Sequence, residues 1–155
     1  MDIGSARRSK ARVDTGVGGA YGLRRGMGKI ELLRGVVFFK PLSDDVLQTI
    51  ADAIHEVTFA PGTRFITQGQ VDDEAFLIVD GEAEVSTHSR RIRTLGPGSI
   101  VGEMAAVSSR PRTASVTATS EVRAYVLTGT YLRDLMREHP NMAAVLSREM
   151  AFRAG

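Results

Sequence analysis

Between Val101 and Val116 the chain reads VGEMAAVSSRPRTASV. Glu103 and Arg112 stand nine residues apart in it, among small, apolar and hydroxylated neighbours that look built for burial. Charged side chains are rarely buried without a partner, so either the two satisfy each other or something else satisfies both. Gly102 followed by Glu-Met-Ala-Ala reads as one short helical turn, whose first N–H groups have no partner inside the helix and gather partial positive charge. Oriented amides of that kind attract anions. Arg112 follows the turn at the expected start of a strand, where its planar fork can meet two phosphate oxygens at once. An ionised Glu103 only accepts hydrogen bonds, which suits sugar hydroxyls. An anion site with one carboxylate for a hydroxyl describes a phosphorylated sugar.

Several elements must hold that turn in place. Residues 27–35 suit a short helix with Ile30, Leu32 and Leu33 on one side. In PLSDDVLQTIADAI, Ser43 is a natural N-cap with Asp44 and Asp45 in the first turn, and Val46, Leu47, Ile50 and Ile54 recur at helical spacing. Pro61-Gly62 then marks a turn. From about residue 57 to 127 the grammar changes to short segments rich in β-branched side chains and closed by turn formers: TRFITQG, EAFLIVDG, EAEVST, RIRTLGPG, TASVTATS and VRAYVLTG. Many short strands at near-regular spacing predict an antiparallel, jelly-roll-like β-roll. Helix returns over about 129–153, with Leu132, Leu135 and Met136 on one stripe and Met142, Val145, Leu146, Glu149 and Arg153 on another. The expected fold class is therefore mainly β with helices (α+β): a β-roll flanked by N-terminal helices and two C-terminal helices. Residues 1–26 read as a basic lead-in and 27–155 as one domain.

Composition bounds the function. A chain of 155 residues has room for one domain with a sizeable core, and its 43% apolar and 25% charged residues are those of a globular protein. No apolar run approaches the ~20 residues needed to cross a bilayer, so no membrane span is expected here. MDIGSARRSK has no apolar stretch after its charges and does not read as a secretory signal. The absence of cysteine excludes disulfides, thiolate metal sites and a cysteine nucleophile, and fits a cytoplasmic location. His55, His88 and His139 are scattered one per segment, so a cupin-like metal enzyme is not expected. No Gly-x-Ser-x-Gly elbow supports Ser/His/Asp catalysis, and the expectation is a binding protein rather than an enzyme. Residues 1–40 hold nine Lys and Arg against three Asp and Glu, a surplus of six, so the rest carries −4 to reach the overall +2. That arm reads as a solvated leader; the alternative is contact with nucleic acid, anionic lipid or an acidic neighbour.

Gly-Glu-Met-Ala at 102–105, placed after LGPGSIV and followed by Pro-Arg-Thr-Ala at 111–114, resembles the phosphate-binding cassette of cyclic nucleotide-binding domains. These occur in catabolite-activator-type regulators, kinase regulatory subunits and cyclic nucleotide-gated channels. QGQVDDEAFLIVDGEAEV is similar to the family's glycine-punctuated strand pair, and the likeness runs from about Val37 to the C-terminus. In look it is most similar to bacterial channel-type domains. The resemblance implies that Gly102, Met104 and Ala105 offer backbone groups and that Glu103 holds the ribose 2′-hydroxyl. It also implies that Arg112 and Thr113 hold the cyclic phosphate, and that Arg153 covers the purine from a last helix closing as a lid. The implied ligand is cAMP, with cGMP following closely, since a threonine at position 113 can reach the guanine amino group in some relatives. The family often has Gly where this chain has Asp72, a change expected to leave the turn intact and the ligand site untouched. The implied partner is an effector domain such as a channel pore on the N-terminal side; the alternative is a free-standing regulatory subunit acting on a partner protein in trans. A DNA-binding regulator would need a helix-turn-helix after the last helix, and none is expected before Gly155, so nucleic acid is not an expected partner.

Overall fold

The computed structural model describes residues 28–154, with side chains through Ala151. The lead-in over 1–26 lies outside the described residues. Helix α1, Lys29–Arg34, buries Leu32 and Leu33 and stops at Gly35. A 3-10 turn at Val37–Phe39 follows, burying Phe38 and Phe39 edge to face. Helix α2, Asp44–Ala53, begins as its sequence demands: the Ser43 hydroxyl accepts from the Val46 amide at 3.3 Å, and Leu47, Ile50 and Ala51 are buried.

Eight strands follow: β1 His55–Phe59, β2 Arg64–Ile66, β3 Glu74–Asp80, β4 Ala83–Thr87, β5 Arg90–Leu95, β6 Ile100–Val101, β7 Ser115–Ala118 and β8 Val122–Thr128. They form two antiparallel four-stranded sheets, ordered β1-β8-β3-β6 and β2-β7-β4-β5. The roll thus begins at His55 rather than near residue 57, and β1 and the two-residue β6 had no counterpart among the segments expected from sequence. β1 follows α2 almost without a turn former, and β6 is too short to show a period. Strands β4 and β5 join through His88-Ser89, both left-handed (φ 51° and 68°), the two-residue turn that matches the strand twist. β5 closes one edge of its sheet and exposes Arg90, Arg91, Ile92, Arg93 and Thr94.

Strand β3 shows how the core is divided. Phe76 and Ile78 point into the roll, where Phe59, Phe65 and Phe76 cluster, with the Phe59 and Phe65 rings stacked 4.5 Å apart. Ala75, Leu77 and Val79 point the other way, into a second core built with the helices. Strand β8 alternates likewise: Val122, Ala124 and Val126 into the roll, Tyr125 and Leu127 toward the helices. This first sheet is a wall shared by two apolar cores. The cassette helix α3 spans Glu103–Ser108, and the chain ends in α4, Gly129–Glu138, and α5, Pro140–Ala154. Leu132 and Leu135 of α4 and Met142 and Leu146 of α5 are buried in the helical core. The stripe expected on the last helix thus packs inward at Met142 and Leu146, against the helical core.

Candidate functional site

Helix α3 is preceded by Gly102 at its N-cap, whose left-handed backbone (φ 86°) only glycine adopts freely. A Cβ there would also stand 2.7 Å from Nη1 of Arg112, 3.0 Å from Cδ1 of Ile66 and 3.3 Å from the Glu74 carbonyl. Conformation and close approach thus both require glycine. The Ala106 amide makes the bond back to the Gly102 carbonyl (3.0 Å), which leaves the amides of Glu103, Met104 and Ala105 ahead of the helix ladder. Glu103 is buried at 1% exposure, while Met104 and Ala105 are half-buried on the same turn.

Arg112 is the centre of the arrangement. Its side chain is 2% exposed. Nη1 donates to the Gly102 carbonyl at 2.7 Å, and Nη2 donates to the Asp72 carboxylate and the Glu74 carbonyl. Nε is also buried, and among the described residues no acceptor meets it. A buried guanidinium N–H without an acceptor is costly, which marks a place where an anionic oxygen would fit. Arg112 was expected in a strand, but it lies three residues before β7. Its backbone bonds to the turn at Gly69-Gln70 instead: Arg112 N to Gln70 O and Gly69 N to Arg112 O, each 2.8 Å. That clasp, rather than a ladder, fixes its direction.

Gly102, Glu103, Met104, Ala105 and Arg112 come together at one end of α3, and Thr113 is exposed in the bend beside Arg112. Arg153 lies on α5, beyond the last described side chain. Asp72 had been read as a turn residue remote from the site, and the structure corrects this: its carboxylate is the ion-pair partner of Arg112. The signal was available in an arginine too buried to stand alone and two adjacent acids in a loop, but nothing in the spacing links positions 72 and 112.

Residues 56–139 match the family described as the cyclic nucleotide-binding domain. The chain belongs to that family. Among proteins similar to this cyclic nucleotide-binding domain is a cyclic nucleotide-gated potassium channel of Rhizobium etli, 30% identical over 125 residues, covering 81% of this chain and 35% of the channel. A cGMP-dependent protein kinase of Drosophila melanogaster is 35% identical over 106 residues, covering 64% of this chain and 14% of the kinase. This chain thus spans only a minor part of either relative. The N-terminal domain of a transcriptional regulator from Streptomyces coelicolor has the same fold, with TM-score 0.68, 26% identity, and coverage of 79% of this chain and 91% of that one. Among the described residues no helix is long and apolar enough to cross a membrane.

Proposed function

We propose that this cyclic nucleotide-binding domain is a non-catalytic sensor whose working ligand is cAMP, with cGMP binding not far behind. Residues 27–155 form the ligand-binding unit and 1–26 a lead-in. The effector is a channel pore attached on the N-terminal side, in keeping with the bacterial channel relative, which makes the domain cytoplasmic. The similar kinase supports a second reading, a free-standing regulatory subunit acting on a partner in trans.

The observation that carries the reading is the buried Nε of Arg112, which meets no acceptor among the described residues, set behind a left-handed turn at Gly102 that leaves no room for a Cβ. In this reading a cyclic phosphate oxygen meets Nε and competes with Asp72 for Nη2, giving the paired contact a guanidinium favours. The amides at Gly102, Met104 and Ala105 receive the other oxygens, with Thr113 beside them. Glu103 accepts from the ribose 2′-hydroxyl, and Arg153 reaches the purine from α5. None of the phosphate or ribose contacts separates cAMP from cGMP. A neutral hydrogen bond donated by the guanine amino group to the Thr113 hydroxyl would be worth about 1 kcal/mol, under tenfold in affinity.

Calorimetric titration of wild type and Arg112→Ala with cAMP tests the site. Removing a charge-assisted paired contact should raise Kd about a hundredfold. An unchanged Kd in a variant that still melts cooperatively overturns the assignment.

A further inference from the structure

The two ends of α3 meet different parts of the molecule. At 1.5 Å per residue the helix is about 9 Å long. One end holds Gly102 and, through its carbonyl, Arg112. At the other end the Ala106 and Val107 carbonyls lie in the last turn, where helix carbonyls lack intrahelical donors. The residue that would serve Val107 is Pro111, which has no N–H. Both carbonyls are met from outside, by Nη1 of Arg133 in α4, at 3.1 Å each. Nη2 of Arg133 donates to the Thr130 hydroxyl at 3.2 Å and lies 3.8 Å from the Asp73 carboxylate. Asp73 also accepts from the Thr130 hydroxyl at 3.2 Å, and its carbonyl accepts from the Gly129 amide at 2.7 Å. The first residue of α4 is pressed onto the same place, since a Cβ on Gly129 would stand 2.1 Å from the Ala106 carbonyl oxygen.

We infer that Arg133 is a positioning residue that fastens the cassette helix to the C-terminal helix pair, so that occupancy at residues 102–112 is felt by α4 and α5. The inference rests on the reading of the site given above. A short helix with its first turn against the ligand and its last turn gripped by one guanidinium has little freedom to move alone. Any shift at Gly102 is carried along α3 to Arg133 and Gly129. Leu132 and Leu135 keep α4 in the helical core whatever happens to Arg133, so the variant is expected to fold.

The test compares the full chain with Arg133→Ala and Arg133→Lys, with cAMP as the probe. Calorimetry gives Kd, and amide exchange gives the slowing that cAMP causes in α3, α4 and α5. In Arg133→Ala we expect a three- to tenfold rise in Kd, retained slowing over 100–112, and loss of at least half the slowing in α4 and α5. Arg133→Lys should recover part of it, because an ammonium still donates to carbonyls. If Arg133→Ala does not melt cooperatively, Arg133→Met, which keeps an unbranched stem but has no donor for the two carbonyls, carries the same readout. Wild-type binding with full slowing of α4 and α5 in the variant overturns the coupling role alone. A wild type that binds neither cAMP nor cGMP overturns the reading of the site, and the coupling with it.

Discussion

At residue 102 two separate demands meet on one glycine: a left-handed turn and room for the Arg112 guanidinium. Alanine at that position costs roughly 1–2 kcal/mol for its backbone alone. Its Cβ also pushes on Nη1, which cannot swing away because Asp72 and the Glu74 carbonyl hold the same guanidinium. Gly102→Ala should therefore fold with stability lowered by about that amount and bind cAMP at least tenfold more weakly. Urea denaturation and calorimetry check the two halves, and undiminished affinity would show that the guanidinium position is not what matters. Gly102, Glu103 and Arg112 were legible in the sequence because all lie within one short stretch. Asp72 was not, since an ion pair across 40 residues leaves no local trace and the same acid reads naturally as a turn former.

Elements with strong periods could be read, and those without could not. Ser43 and the acids after it announced α2, and the β-branched side chains and closing turn formers of β3 and β8 announced strands, although not that both of their faces are apolar. The stripe on α5 was legible from its period, but periodicity says that a face is covered and not by what, and Met142 and Leu146 are covered by the helical core. The tightest element junction is the turn between β3 and β4. Gly81 has φ 91°, and a Cβ there would lie 2.0 Å from the Glu121 carbonyl oxygen, a backbone atom that cannot rotate aside. Gly81→Ala should cost about 2–4 kcal/mol, the range in which a backbone clash and a forbidden dihedral add. The urea midpoint reads this directly, and a midpoint within error of wild type would mean that the two strands are free to part.

The molecule as a whole is two cores on one wall, and titratable groups stand on the helical side of that wall, Tyr125 on β8, Tyr131 on α4 and Lys29 on α1. Burial raises the Tyr125 phenol, with the Glu56 carboxylate adding to it, and burial raises the Tyr131 phenol with help from Glu138. A phenol raised in the folded state binds its proton more tightly there. Its contribution to stability is complete below its unfolded value of about 10 and is lost as pH rises through the folded value. Lys29, whose ammonium lies 4.9 Å over the Tyr125 ring, runs the other way: burial lowers it, so the folded state gains stability as pH rises toward 10.5. Wild type should therefore lose stability in the alkaline range more steeply than Tyr125→Phe/Tyr131→Phe, which lacks both phenol contributions and keeps the opposing one of Lys29. Urea midpoints between pH 8 and 11 would show it, and parallel curves would refute it. In the other sheet, the arginines of β5 stand on an edge strand that has no strand on its outer side among the described residues. An open edge invites another strand, and a row of like charges keeps a second copy away. That protection is electrostatic, with a reach of about 8 Å at physiological ionic strength and about 3 Å in molar salt. Concentrated salt should therefore weaken that guard, and light scattering by the domain at rising salt concentration would show whether copies then join edge to edge.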